Sequence, residues 1–385
     1  MQRKKICFVV TIPLTIRSFF IPQLKFLAEN GFDVTVICGN DDNLKFELGN
    51  DIKFIPLDIP RGTSFFGSLK TINKLIKIFK KEQFDLIQYS TPNASLYSAI
   101  AAKIVGCKVR NYHCMGFRYL GFNGLIKSIF KIIEKITCCF STDIECVSKS
   151  NLELGIKEGL FNENKATVVF HGSTGGVDLN CFDFSKRQIY RDKYRLNYKI
   201  TANTFVYGFV GRITKDKGIN ELIEAYREVE KRVSDTKLVF IGQFEKNHNL
   251  DEVLLDYAKK NENIIFIDKV DNIEEYYPLF DVLVLPSYRE GFGNVVIEAE
   301  AMGVPVIVSD IPGPRDAMKN NVTGLLTPVK NVKKLYQTMI EIKENFLEKE
   351  YANKCYEYVK KSFDSELICK KILERKKNLL RGLDE

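Results

Sequence analysis

The 385-residue sequence predicts an α/β protein made of two doubly wound domains facing one cleft. Three observations carry this. Short β-branched runs alternate with helical periods along most of the chain, the pattern of parallel strands joined by crossover helices. The alternation runs twice, broken once by a glycine-rich polar stretch, HGSTGGVDLNCFDFSKRQ, at residues 171–188. A chain of 385 residues also exceeds what one ordinary hydrophobic core accommodates.

KKICFVVTI reads as the first strand. Its basic lead and apolar run imitate a secretion signal, but Arg17 breaks the apolar character soon after and no small-residue cleavage site appears. FFIPQLKFLAENG reads as a helix closed by Gly31, and DVTVICG as the second strand. KFIPLDI, FDLIQYS, KVRNYHC and DIECVS continue the strand series, with helical stretches between most of them. In the second half TFVYGFVG, KLVFIG, NIIFID, VLVLPS and VPVIVSD are five compact strands, and INELIEAYREVEKR and VVIEAEAMG are helices between them. The expected domains are residues 1–175 and 176–365, with a C-terminal helix at 366–385 packing back on the first. Ligands of such sheets sit at the carboxyl ends of the strands, which makes the cleft the expected site.

Composition narrows the function. The chain is 45% hydrophobic and 28% charged, with a net charge of +8 that favours an anionic partner. Nucleic-acid binding rests on that charge alone, since no stacking or groove-reading motif occurs. The ten cysteines include no C-x-x-C pair, and most lie in apolar strand-like runs; they read as buried reduced thiols, which suits the cytoplasm. No run approaches the roughly 18 uncharged apolar residues of a spanning helix.

Two segments carry chemistry. In GFVGRITKDKG, residues 208–218, a strand ends at glycine, Arg212 comes at once and Lys217 precedes Gly218. Two cations at a strand end suit a diphosphate, arginine as a planar fork and lysine as a point charge; a solvated basic turn is the competing reading. In LPSYREGFGNVVIEAEAMG a strand runs into a turn holding Gly291 and Gly293, and a helix begins near Asn294. Glycines admit close approach of a ligand, and the helix start favours phosphate. Glu290 before the turn is placed to face a sugar, and Glu298 on the helix to accept from ribose hydroxyls; alone, Glu298 would be a surface charge.

Together, Arg-x4-Lys-Gly after one strand and Glu-x7-Glu around a glycine turn after another resemble the retaining nucleotide-sugar glycosyltransferases of the two-Rossmann-domain (GT-B) fold, of the bacterial capsule and O-antigen type. The resemblance spans nearly the whole chain and is strongest over residues 205–330. It implies that Arg212 and Lys217 bind the donor diphosphate, that Phe292, Gly293 and Asn294 add backbone donors, that Glu290 holds the transferred sugar, and that Glu298 holds the ribose. It implies base recognition at Lys269 and Val270, and places His113 of VRNYHCMGF against the donor sugar. Arg17 and Ser18 become acceptor-side candidates, although the loop TIPLTIRSFF lacks the glycines many members carry there. Gly172 and Ser173 match a segment at the cleft floor, where a hinge role competes.

The implied reaction moves a hexose or N-acetylhexosamine from a UDP-sugar, a substrate and not a cofactor, to a saccharide acceptor carried on a polyprenyl diphosphate. No Asp-x-Asp lies at a strand end, so Arg212 and Lys217 would stand where a metal would otherwise neutralise the leaving diphosphate. A sugar-nucleotide epimerase or hydrolase on the same fold, or a catalytically silent sugar-nucleotide-binding subunit, are the alternatives. An anionic membrane surface is a candidate partner. In SLKTINKLIKIFKK, Lys70, Lys74, Lys77 and Lys81 share one helical face, opposite Leu69, Ile72, Ile76 and Phe79. GLIKSIFKIIEKI repeats the pattern with Lys127, Lys131 and Lys135 beside Ile126, Ile129, Phe130 and Ile133. Surface helices of any α/β domain share such patterning.

Overall fold

The computed structural model describes residues 3–60, 65–246, 248–345 and 349–381. The chain divides into two compact units, Met1–Gly175 with Ser365–Glu385, and Gly176–Asp364.

The first unit holds a seven-stranded sheet in the order β3-β2-β1-β4-β5-β6-β7. Its strands are β1 (Lys4–Val9), β2 (Phe32–Cys38), β3 (Ile52–Pro56), β4 (Leu86–Tyr89), β5 (Val109–Cys114), β6 (Asp143–Cys146) and β7 (Ala166–Val168). The second holds β8 (Phe205–Val210), β9 (Thr236–Ile241), β10 (Ile264–Ile267), β11 (Val282–Leu285), β12 (Val306–Ser309) and β13 (Gly324–Thr327) in the order β10-β9-β8-β11-β12-β13. Every pairing in both sheets is parallel. Parallel sheets are covered on both faces, which is why their strands read as continuous apolar runs. All six residues of FVYGFV in β8 are buried, as are all of β4, β11 and β12. Burying each such Val, Leu, Ile or Phe contributes roughly 1.5–3 kcal/mol.

In both sheets the strand order reverses beside the first strand, between β1 and β4 and between β8 and β11. Those reversals open a crevice at the carboxyl edge of each sheet, where ligands of doubly wound folds bind. Asp281 ties the central pair of the second sheet together at the opposite edge, accepting from the Val206 amide at 2.7 Å and from Arg195 and Arg191 at 2.6 and 2.5 Å.

Two strands were absent from the expected series, β7 and β13, both at sheet edges and only three and four residues long. Eight of the ten cysteines are buried and all are free; Cys139 and Cys181 are exposed. The C-terminal helix Ser365–Arg381 belongs to the first unit, where Leu380 joins the core beside β1 and β2.

Candidate active site

The carboxyl edge of the second sheet gathers most of the expected residues. β8 ends at Val210, and Arg212 lies just beyond it with its guanidinium Nη1 donating to Glu245 Oε1 at 2.5 Å. Lys217 ends the short turn Lys215–Lys217 and donates from Nζ to Glu290 Oε1 at 2.5 Å. These two side chains are only 15% and 14% exposed, whereas Arg212 is 53% exposed. Lys217 reaches Glu290 because Gly218 lets the turn lie against the end of β11. Its φ is +72°, and a Cβ there would stand 2.2 Å from the Pro286 carbonyl oxygen. The backbone fastens the same contact, with the Tyr288 amide donating to the Asp216 carbonyl at 2.9 Å.

Beyond Glu290 the chain turns through Gly291, Phe292 and Gly293 into the helix Asn294–Ala301. Gly293, at φ +91°, caps the helix without a side chain, so no hydroxyl or carboxylate occupies the helix start. Phe292 is buried and packs edge-on against Phe363 at 5.4 Å, which leaves its backbone as the part that can serve a ligand. Glu298 is half-buried and accepts from the Tyr277 hydroxyl at 2.6 Å; burial pushes its carboxyl above the ordinary value. It is not the freely solvated helix charge that its position alone would suggest.

Lys269 and Val270 lie just after β10. With Gly211, Arg212, Gly242 and Ile273 they line a largely apolar hollow of about 250 Å³ across the ends of β8, β9 and β10. The arrangement sets a flat apolar recess, two cations, a helix start and two carboxylates along one edge of one sheet. Among the described residues, no three His, Cys, Asp or Glu side chains gather as a metal-binding group.

In the first unit His113 lies at the carboxyl end of β5, 7% exposed. Its Nε2 is 3.1 Å from Thr174 Oγ1, its ring meets Phe20 edge-on at 5.6 Å, and its Nδ1 is 3.8 Å from Glu145 Oε2. Burial holds its pKa below the ordinary histidine value, with Glu145 opposing the shift. Gly172 and Ser173 form a tight backbone turn, with the Ser173 amide donating to Val147 at 2.8 Å. Ser18 is exposed. Arg17 is not open to an acceptor: its guanidinium grips Asp41 at 2.8 and 2.9 Å and Glu47 at 2.9 Å.

The two basic amphipathic helices part company. In Phe65–Glu82, Phe79 is buried and Ile72 and Ile76 pack on the core, so most of its apolar face is used internally, with Leu69 left exposed. In Gly124–Phe140 the apolar stripe Leu125, Ile129, Ile132 and Ile136 faces outward, with Leu125 77% and Ile132 60% exposed. Its inner face is instead Glu134, Thr137 and Cys138, and Phe130 stacks on Phe122 at 4.7 Å. Among the described residues, no helix is long and apolar enough to cross a membrane.

Sequence reasoning passed over Glu245, Tyr277, Glu145 and Lys376. An acid just after a strand-glycine end (KLVFIGQFE) was a legible signal for the first; the others meet their partners only through the fold.

Comparison with known proteins agrees with this geometry. The profile described as "Glycosyl transferases group 1" matches residues 191–362, and that described as "Glycosyl transferase 4-like" matches residues 5–148. The capsular polysaccharide biosynthesis glycosyltransferase CapM of Staphylococcus aureus is 31% identical over 369 residues, covering 96% of this chain and 95% of its own. An Escherichia coli UDP-Gal:alpha-D-GlcNAc-diphosphoundecaprenol alpha-1,3-galactosyltransferase is 25% identical over 365 residues, covering 91% and 92%. The crystal structure of a glycosyltransferase from Rickettsia africae superposes with a TM-score of 0.79 at 22% identity, over 99% of both chains.

Proposed function

Because the chain belongs to the group 1 glycosyl transferases, we propose that it moves a hexose or N-acetylhexosamine from a UDP-sugar, with retention of configuration, to a polyprenyl-diphosphate-linked saccharide during capsule or O-antigen synthesis. The observation that carries this reading is the half-buried Lys217–Glu290 pair at the carboxyl edge of the second sheet, with Arg212 and a helix start beside it.

Transfer requires that negative charge developing on the departing diphosphate be stabilised while the sugar gains oxocarbenium character. Arg212 and Lys217 supply two fixed cations, and the amides at the start of Asn294–Ala301 add a positive helix end. Lys217 and Glu290 hold one another ready. A phosphate arriving at Lys217 takes over part of its bonding, and the Glu290 carboxylate turns to the sugar hydroxyls. Glu298, fixed by Tyr277, takes the ribose end, and the hollow beside Val270 takes the base. The family resemblance gives His113 the role of a donor-sugar contact. Glu290 acts as a hydroxyl clamp and not as a nucleophile, and the acceptor hydroxyl attacks on the face from which the nucleotide leaves. The cations do the work of a metal, so chelator leaves turnover intact.

The lipid-linked acceptor is supported by the E. coli relative, whose name specifies a diphosphoundecaprenol substrate, and by the outward stripe of Gly124–Phe140. Lys127 and Lys135 on the same helix are exposed, while Lys131 pairs with Glu158; an exposed apolar stripe on a basic helix suits an anionic membrane surface. The test is UDP release from a panel of UDP-hexoses and UDP-N-acetylhexosamines with a polyprenyl-diphosphate saccharide acceptor. One donor should stand out and depend on the acceptor. Release from no UDP-sugar, with turnover of another nucleotide sugar, would refute the donor class.

A further inference from the structure

A row of buried polar groups crosses β5 and β6 and ends at His113. The register sets Asn111 beside Asp143 and His113 beside Glu145. Two acids on a strand whose residues are all buried require cations, since an unpaired buried charge is strongly unfavourable. The C-terminal helix Ser365–Arg381 brings them. Arg375 pairs with Asp143, and Lys376, wholly buried, donates to both oxygens of Glu145 at 2.8 Å and to Asn111 Oδ1 at 3.2 Å. Lys376 thus uses all three of its donors. Asn111 Nδ2 closes the row by donating to Asp143 Oδ2 at 2.7 Å.

Two nitrogens along the row lack a hydrogen-bond partner among the described residues, Arg375 Nε and the imidazole Nδ1. The latter lies 3.8 Å from Glu145 Oε2, and the imidazole Nε2 faces the Thr174 hydroxyl. We infer that Lys376 and Glu145 are positioning residues for His113: their matched charges leave the buried ring without a net charge to answer, and Glu145 sets its proton on Nδ1, with the Nε2 lone pair toward Thr174. The functional weight of this rests on the reading of His113 as a donor-sugar contact.

The chemistry is that of a matched pair. A lone carboxylate at this distance would draw a second proton onto the imidazole, and a lone buried ammonium would repel the first. Paired, they leave the ring little net charge to sense, while the carboxylate still orients its N–H. The other charges of the row are themselves matched: Arg375 belongs to Asp143 and lies 3.9 Å from Glu145, and the side facing Phe20 is aromatic. Consistently, burial is the main influence lowering His113, with Glu145 raising it and Lys376 lowering it. Against the burial that would raise it, Lys376 holds the Glu145 carboxyl below the ordinary value.

The test uses the full chain with labelled histidine, which has only three such residues, His113, His171 and His248. Ring nitrogen shifts report tautomer and charge between pH 5 and 8.5. The unaltered protein should show His113 neutral with the Nδ1–H tautomer throughout. Lys376→Met should raise its apparent pKa by about one unit or more and move the acid limb of kcat by the same amount, and Lys376→Arg should restore both. Should Lys376→Met fail to fold, Lys376→Met with Glu145→Gln removes both charges; the ring then stays neutral but loses its Nδ1–H preference. An unchanged titration and tautomer in the folded variants overturns the inference. His113→Gln separates it from the parent reading: full turnover there ends the donor-contact role, while the ring titration still decides the coupling.

Discussion

Glu134 lies on the inner face of the helix Gly124–Phe140, 7% exposed, and accepts from the Tyr112 hydroxyl at 2.5 Å. Burial raises its carboxyl from 4.5 to about 7, opposed in part by that hydrogen bond. A carboxyl with a raised folded-state pKa contributes its full share of stability below the unfolded value, and loses that share as pH rises through the folded value. The difference between 4.5 and about 7 amounts to roughly 3 kcal/mol at 1.36 kcal/mol per unit, of which ~2.5 falls between pH 5 and pH 8. Glu134→Gln keeps an acceptor for Tyr112 and carries no charge. Chemical denaturation of both proteins should therefore give similar stabilities near pH 5, with the variant the more stable by ~2 kcal/mol or more at pH 8. Taking the difference between the two proteins cancels the other carboxyls that titrate in the same window. A difference that is the same at both pH values would refute the burial argument.

Arg212→Ala and Lys217→Ala should each lower turnover with saturating donor by about 100-fold or more, and Arg212→Ala, being at an exposed site, should leave the melting temperature within about 2 °C. Measured turnover near that of the parent would remove the diphosphate role. Replacing Lys127, Lys131 and Lys135 by alanine, or Leu125, Ile129, Ile132 and Ile136 by serine, should reduce sedimentation with vesicles containing phosphatidylglycerol; equal binding by all three proteins would detach the membrane from this helix. Gly218→Ala should destabilise the second unit by more than the ~1 kcal/mol of a strained dihedral alone, because its Cβ meets the Pro286 carbonyl, and an unaltered urea midpoint would contradict that contact.

Strands were legible where both faces of the sheet are covered, because burial on two sides demands unbroken apolar runs such as ICFVV and VLVL. β7 and β13 escaped because ATV is half-buried throughout and GLLT opens on glycine and closes on threonine, whereas β10, equally short and also at an edge, carries the unbroken run IIFI. The glycine turn and its flanking charges were legible because close backbone approach leaves a local mark, as at Gly218. The two lysine-rich helices mark the opposite limit. Their periodicities are alike, yet one apolar stripe meets a core and the other meets solvent, a distinction made by neighbours far along the chain. The Glu145–Lys376 pair joins residues 231 apart, and no local spacing encodes it.

That separation bears on how the protein is made. A chain emerging amino end first completes β5 and β6 long before the helix carrying Arg375 and Lys376 leaves the ribosome. Throughout that interval Asp143 and Glu145 lack Arg375 and Lys376, the cations that pair with them in the folded unit. A nascent chain stalled or cut before Arg375 would carry every strand of that unit yet still lack the counterions its centre requires. Such a fragment would be a natural client for holding chaperones and proteases.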